Sequence, residues 1–187
     1  MAKKTRRPAR RARRRAAPSD AISLLKADHR EVEGWFEQFQ KSRSDEKKAE
    51  LAGKICTALK VHTSIEEEIF YPAFLEATEE EDIHHEAEVE HNGAKRLIAE
   101  IEGSGPEDDY YDAKVKVLAE MIKHHVKEEE KRDGMFAKAR QSEMDLEALG
   151  EQLASRKEQL MSGEMGQRGD GRSRRGTMER MADRLRG

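Results

Sequence analysis

Hydrophobic residues recur at steps of three and four along most of the chain from residue 20 to residue 161, the spacing of amphipathic helices. The first helix is predicted over about 20–41, where Pro18-Ser19-Asp20 supplies a helix cap. Its apolar face is formed by Ile22, Leu25, Val32, Phe36 and Phe39. His29 falls on the same face, so this helix is expected to carry a histidine towards the core.

A second helix is predicted over about 46–77, and its inward face includes a carboxylate. The periodic positions are Leu51, Ile55, Leu59, His62, Glu66, Ile69 and Ala73. Burying an unpaired carboxylate costs several kcal/mol, so Glu66 requires a partner in the core. Pro72 is expected to kink this helix or to end it early.

Two more long helices follow, over about 81–102 and about 107–140. The inward face of the third comprises His84, Ala87, His91, Ala94, Ile98 and Ile101. That of the fourth comprises Val115, Leu118, Ile122, His125, Glu129 and Arg132. A weaker helix over 143–161 is expected to pack outside these four or to support an oligomer.

Four helices of this length with short connections predict an all-α fold, an antiparallel up-and-down four-helix bundle with an extra C-terminal helix. The expected division is a disordered basic tail (1–19), the bundle (20–142), an accessory helix (143–161) and a flexible Gly- and Arg-rich tail (162–187).

Charge is distributed unevenly along the 187 residues, although the formal net charge is only −3. Residues 1–19 contain nine Lys and Arg and no acidic residue, whereas the central part is acidic. Such a basic tail binds nucleic acid or another anionic surface through phosphates without reading sequence, or else remains a solvated tail. Both interpretations stay open.

Several classes of protein are disfavoured by composition. No apolar run reaches the roughly 18 residues of a membrane span, and no secretory signal is evident, so a cytoplasmic protein is expected. Cys56 is the single cysteine, which excludes an intrachain disulfide and a thiolate cluster. A metal site in this chain must therefore use histidine and carboxylate ligands.

The candidate chemistry lies in two pairs, His62 with Glu66 and His125 with Glu129. The i,i+4 spacing places both members of a pair on one face of a helix. In an up-and-down bundle the inward histidines at 29, 62, 91 and 125 reach a similar depth. A metal site explains these residues better than an ion-pair network, because burying them without a cation is costly. A rotation by one residue would substitute His124 and Glu128 for the second pair.

These segments resemble the haemerythrin-like HHE cation-binding domain over about residues 20–140. The matching motifs are Asp28-His29, His62-Thr63-Ser64-Ile65-Glu66-Glu67 before Phe70-Tyr71-Pro72, Glu90-His91 and His125-Val126-Lys127-Glu128-Glu129. The resemblance implies a non-haem di-iron centre bridged by two carboxylates and capped by four histidines. The implied ligands are His29, His62, Glu66, His91, His125 and Glu129, and two iron ions are expected ahead of manganese or zinc.

Oxygen-carrying haemerythrins, which this pattern resembles, use a fifth histidine, whereas Ala87 and Lys95 occupy the i,i+4 offsets from His91. Glu33, His124 or water is left to complete the ligand set, and Tyr71 is expected only to pack. The functional hypothesis is binding or sensing of dioxygen, nitric oxide or peroxide, or iron handling. The alternative is a nucleic-acid-associated or interaction protein with a structural bundle and Arg-rich tails.

Overall fold

The computed structural model describes residues 20–163, which are mainly helical and contain no β-strand. The predicted all-α bundle is confirmed. In chain order the elements are α1 (Ala21–Lys41), α2 (Asp45–Ile65), a π-helical turn (Glu66–Phe70), α3 (Tyr71–Thr78), α4 (Glu81–Glu102), α5 (Tyr111–Glu130), α6 (Met135–Gln141) and α7 (146–163).

Local signals start the first two helices where the sequence predicts them. The side chain of Asp20 accepts a hydrogen bond from the backbone N–H of Ser23 at 2.7 Å, and Ser44 accepts one from Lys47 at 3.3 Å. Both are N-cap bonds that satisfy backbone donors of the first turn.

The long helices α1, α2, α4 and α5 form the bundle, in which α1 and α4 each contact both α2 and α5. Two apolar clusters fill its interior. The first cluster includes Val32, Leu59, Ala94, Ile98, Leu118 and Ile122, and the second includes Leu25, Ile65, Phe70, Phe74, Ala87 and Phe136. On each of the first three long helices, a buried histidine lies between a residue of one cluster and a residue of the other: His29, His62 and His91. The polar site is therefore enclosed by apolar side chains at both ends.

The π-helical turn changes the face that the second predicted helix presents to the core. Its backbone bonds span five residues, as the N–H of Tyr71 donates to the carbonyl of Glu66. The extra residue lies just before Pro72, whose ring disfavours an uninterrupted α-helix. Consequently Phe70, Tyr71 and Phe74 are fully buried. The predicted core positions Ile69 and Ala73 are wrong in this respect, because they are only half-buried.

The predicted fourth helix is shorter than expected and is broken near its end. It spans Tyr111–Glu130 rather than 107–140, and Lys131 adopts an extended conformation with ψ 163°. A turn over 131–134 then leads into α6. Arg132, predicted on the buried face, is exposed for this reason.

Gly134 closes that turn tightly against α5. A Cβ atom at this position would lie 2.2 Å from the carbonyl oxygen of Glu128 and 2.8 Å from that of Glu129. We expect Gly134→Ala to lower the unfolding free energy by about 1–3 kcal/mol, the usual cost of forcing a tight contact apart. Thermal unfolding followed by circular dichroism measures the effect.

Gly34→Ala is the matched control, since nothing lies within 4 Å of the corresponding Cβ position on α1. It should be neutral or stabilising by up to about 1 kcal/mol, because alanine restricts the unfolded chain. Equal stabilities for the two variants would contradict the role assigned to Gly134.

The C-terminal helix α7 packs on the bundle over the second cluster. Leu153 is fully buried, and Gly150 approaches the backbone of Ala21 so closely that a Cβ atom would lie 2.8 Å away. Lys157 forms an ion pair with Asp28 of α1. The predicted tails, 1–19 and most of 162–187, lie outside the described residues. Among residues 20–163, no helix has the length and hydropathy needed to span a membrane.

Candidate metal centre

Two pairs of histidines meet in the interior, each with its Nε2 atoms facing one another. The Nε2 atoms of His29 and His62 are 3.1 Å apart, and those of His91 and His125 are 3.2 Å apart. All four residues are at most 5% exposed. The four long helices thus each contribute one ring nitrogen to a single buried region.

Two carboxylates connect the histidine pairs. Glu66 Oε2 lies 3.2 Å from His62 Nε2 and 3.4 Å from His91 Nε2. On the other side, Glu129 Oε2 lies 3.4 Å from His29 Nε2, and its Oε1 lies 3.6 Å from His125 Nε2. Each carboxylate therefore lies between the pairs, where it could bridge two cations.

The carboxylates are buried without conventional partners. Glu66 has no exposed surface, and neither of its oxygens has a hydrogen-bond partner in the described structure; the same holds for Glu129 Oε2. A buried carboxylate in this state is strongly disfavoured unless a cation compensates it. His29, His62 and Glu66 are close enough to hold one ion, as are Glu66, His91 and His125.

A second set of carboxylates orients the rings from outside. The Nδ1 atoms of His29, His91 and His125 lie 2.8, 3.0 and 2.7 Å from oxygens of Glu130, Glu67 and Glu90, respectively. His62 Nδ1 lies 3.6 Å from Asp28. A carboxylate that accepts Nδ1–H leaves the lone pair on Nε2, the tautomer that binds metal.

In the metal-free protein, protons on the buried side chains partly compensate the negative charge of the carboxylates. Burial disfavours the charged imidazole, but the negative charge of Glu66 and the hydrogen bond to Asp28 outweigh it and raise the pKa of His62 to about 10. Burial likewise opposes protonation of His91, yet Glu66 and Glu67 raise its pKa to about 9. Burial and the nearby charge of Glu66 raise the pKa of Glu129. The site therefore holds protons in the absence of metal.

The donor set is of the kind that binds a metal ion. Imidazole nitrogens combined with carboxylate oxygens suit divalent first-row metals. The four imidazoles and two carboxylates are all donors of these types.

The structure distinguishes the pair His125 and Glu129 from the alternative pair His124 and Glu128. His125 and Glu129 are buried, whereas the side chain of His124 is 58% exposed and Glu128 pairs with Lys131. Glu33, considered as an additional ligand, instead forms a surface ion pair with Arg30. The side chains of Glu33, His124 and Glu128 are therefore not among the six that meet in the interior.

Tyr71 is the one residue beside the centre that the sequence assigns only to packing. Its hydroxyl donates to Glu129 Oε1 at 3.2 Å and lies 3.2 Å from His91 Nε2. Burial and the charges of Glu66 and Glu129 raise its pKa well above the usual 10, so the phenol stays protonated. The signal available in the sequence is that Tyr71 lies five residues after Glu66, the spacing that a π-helical turn aligns.

We expect Tyr71→Phe to lower the stability of the metal-free protein by about 1–3 kcal/mol, because Glu129 would lose its one hydrogen-bond donor in the described chain. Urea unfolding in the presence of a chelator measures this change. Tyr110→Phe is the control, since Tyr110 is 71% exposed. A loss no larger than that of the control would show that the hydroxyl of Tyr71 is not needed there.

A small cavity of about 10 Å³ touches all four histidines. Its remaining wall is formed by Val32, Leu59, Ile122 and Val126, together with Asp28 and Thr63. This volume corresponds to roughly one water molecule. The space next to the histidines therefore suits a molecule of two or three atoms.

Comparisons with known proteins agree with the fold. Residues 20–139 match the family model described as Hemerythrin HHE cation binding domain. The crystal structure of a hemerythrin HHE cation binding domain-containing protein from Mycobacterium kansasii superimposes with a TM-score of 0.65. It is 26% identical, and the match covers 77% of this chain and 88% of that one.

A second likeness, to part of a longer protein, is to one named DNA nickase from Nostoc sp. (strain PCC 7120 / SAG 25.82 / UTEX 2576). The two are 31% identical over 107 residues, which is 57% of this chain and 30% of the nickase. Less than a third of that relative is therefore matched. The family model, in contrast, spans well over half of the chain and includes every histidine and carboxylate of the buried site. The chain belongs to the hemerythrin HHE cation-binding domain family.

Proposed function

We propose that this protein holds two iron ions, one at His29 and His62 and the other at His91 and His125, with Glu66 and Glu129 linking them. It would use this centre to bind or sense a small ligand: dioxygen, nitric oxide or peroxide. Iron handling at the same centre is the nearest variant of this proposal.

The observation that carries the proposal is the convergence of four buried ring nitrogens on two buried carboxylates. The Nε2 atoms of each histidine pair lie 3.1 or 3.2 Å apart, a distance that requires a cation, either a proton or a metal ion, between or beside them. In the metal-free protein, protons on His62 and His91 fill this role. A metal ion would replace these protons and would also satisfy the carboxylate oxygens that lack hydrogen-bond partners.

Access for a ligand is limited by the size and polarity of the cavity beside the histidines. Its volume of about 10 Å³ admits a diatomic molecule more readily than an organic substrate. The aliphatic part of its wall adds no hydrogen-bonding groups for a larger polar substrate. This supports binding or sensing of a small ligand over turnover of a larger one.

When bound, two ferrous ions would supply two electrons to an oxidant. The chain's own groups do the rest. The outer carboxylates hold the imidazole rings in position, the two apolar clusters exclude bulk water, and Tyr71 keeps a proton on its hydroxyl beside Glu129.

Anaerobic addition of ferrous iron to the chelator-treated protein, followed by metal analysis and then by air, tests this proposal. We expect two iron ions per chain and a new absorption between about 300 and 500 nm after oxidation. Nitric oxide added before air should alter the spectrum of the ferrous protein. Less than one tightly bound metal ion per chain would reject the proposed centre.

A second candidate function is binding to nucleic acid. It is favoured by the nine basic residues in 1–19 and by the similarity to part of a protein named DNA nickase. Retention on DNA that weakens steeply with salt, and that disappears when residues 1–19 are removed, would support it. Unchanged retention after that deletion would exclude this segment as the main contact.

A further inference from the structure

The C-terminal helix α7 lies beyond the residues that the family model matches, yet it contacts the surroundings of the proposed metal centre. The match ends at residue 139, whereas α7 spans 146–163. Leu153 is fully buried, and Leu146, Leu149 and Leu160 pack half-buried against the second apolar cluster. The helix is therefore fixed on the bundle, and its polar side chains occupy defined positions over α1 and the π-helical turn.

Two consecutive residues of α7 form ion pairs with the bundle. Arg156 donates to both carboxylate oxygens of Glu68, at 2.6 and 3.1 Å. Lys157 donates to Oδ1 of Asp28 on α1. The side chain of Glu68 is 45% exposed, whereas that of Asp28 is 11% exposed and lines the small cavity beside the histidines. The first pair thus lies at the surface, and the second lies next to the centre.

Asp28 is the carboxylate that faces His62 from outside the centre. Its second oxygen, Oδ2, lies 3.6 Å from His62 Nδ1. Lys157 is the one lysine or arginine with which Asp28 pairs in the described chain. The basic partners of Glu67 and Glu130, by contrast, come from within the residues that the family model matches. The position of the outer carboxylate of His62 therefore depends on α7.

His62 is also the ring whose orientation is least constrained. The Nδ1 atoms of the other three histidines lie 2.7–3.0 Å from their outer carboxylates, whereas His62 Nδ1 has no hydrogen-bond partner within residues 20–163. When Nε2 of an imidazole binds a metal, Nδ1–H usually donates to a carboxylate, which fixes the ring and makes it a better ligand. Asp28 is the carboxylate placed to accept from His62, and an ion pair at its other oxygen keeps it from rotating towards water.

We infer that Lys157 is a positioning residue for the metal ion at His29 and His62, and that it acts through Asp28 on His62. Its ammonium group holds the Asp28 carboxylate beside the ring, where it can accept a hydrogen bond from Nδ1–H. This inference rests on the proposed two-metal centre and adds a residue of α7 that sets the affinity of one half of it. The other half, at His91 and His125, has outer carboxylates of its own and should not depend on Lys157.

Lys157→Met removes the ammonium group and keeps the length of the side chain. The metal-free full chain competes with a chelator for added ferrous iron under anaerobic conditions, which gives the affinity for each of the two ions. We expect one ion to bind about tenfold more weakly than in the wild type, the lower end of the usual effect of losing an outer partner, and the other to bind equally tightly. Mössbauer spectra of the ferrous protein should change for one of the two iron ions.

Arg156→Met is the matched control, because it breaks the neighbouring ion pair between α7 and Glu68 and leaves Asp28 untouched. It should bind both ions as the wild type does. Equal weakening in this variant would overturn the inference, by assigning the effect to the attachment of α7 as a whole. Wild-type affinities in Lys157→Met would overturn it as well.

A double variant tests the route through Asp28. Asp28→Ala should itself weaken the binding of one ion, and adding Lys157→Met should cause no further loss, because the residue through which Lys157 acts is already absent. A second loss of about tenfold in the double variant would contradict this route. Wild-type protein that binds less than one tight iron ion would reject the proposed centre and the role of Lys157 together, whereas two tight ions that neither single change affects would reject only the role of Lys157.

Discussion

In the Glu66→Gln variant, we expect the stabilisation that divalent metal ions confer on the wild-type protein to be lost. Glu66 lies between His62 and His91 at 3.2 and 3.4 Å, and it is the candidate ligand with no exposed surface at all. The neutral amide keeps the size of the side chain but removes the charge that would balance the cations. Without that charge, the histidine pairs can no longer hold two ions close together.

The expected rise in melting temperature follows from the free energy of metal binding to the folded protein. Free metal at a thousand times its dissociation constant stabilises a protein by about 4 kcal/mol. For a domain of this length, that corresponds to a rise in melting temperature on the order of 10 °C. We expect this rise in the wild type and a rise close to zero in the variant, measured by calorimetry with and without metal.

Two comparisons separate a loss of metal binding from a general loss of stability. Metal-free Glu66→Gln should remain folded, because His62 and His91 can become neutral when their shared carboxylate is gone. Glu68→Gln is the control: it removes a charge two residues away, from a side chain that is 45% exposed and pairs with Arg156. A variant at Glu66 that retains the full metal-dependent rise would contradict the bridging role.

The second large effect is a dependence of stability on pH that bound metal should greatly reduce. In the metal-free protein, the charge of Glu66 overcomes the cost of burial and holds the pKa of His62 at about 10, and Glu66 with Glu67 holds that of His91 at about 9. Both values lie above the 6.5 expected for the unfolded chain. The stabilisation from these protons is complete below about pH 6.5 and is lost as the pH rises through 9 and 10.

We therefore expect chelator-treated protein to lose stability between pH 7 and pH 10, by on the order of a few kcal/mol. The raised pKa of Glu129 acts in the same direction. Protein loaded with metal and then freed of excess should show much less dependence, since the metal has replaced the protons. Urea unfolding at several pH values measures both forms.

Proton release on binding gives an independent check of the same argument. Metal added at pH 7.5 should displace about two protons per chain, from His62 and His91. Calorimetric titration in two buffers of different ionisation enthalpy counts them. Metal binding without proton release, or a metal-free protein whose stability rises from pH 7 to pH 10, would show that these histidines are already neutral.

Much of the bundle follows from helical periodicity. The bounds of α1 and α4 agree closely with the prediction, and the histidines at 29, 62, 91 and 125 occupy buried positions on them and on α2 and α5. These results depend on which residues share a face of one helix. Their assignment as metal ligands stays a prediction for the experiments above.

Other features depend on how the helices meet. The outer partners of the histidines come from distant parts of the chain: Glu130 reaches His29 across 101 residues, and Glu90 reaches His125 across 35. Glutamate is so frequent on the solvent-facing sides of these helices that periodicity cannot single out these partners. Only the rotation and relative depth of the packed helices select them.

What the sequence by itself determined was the all-α fold, the inward histidines and the two inward carboxylates, because a period of 3.6 residues assigns each to a face. Tertiary structure alone decided the rest. The π-helical turn before Pro72 moved Tyr71 onto the face of Glu66, and the turn at Gly134 brought Phe136 to 5.8 Å from the ring of His29. Both depend on local departures from the α-helix that packing stabilises, and a helical period cannot encode such departures.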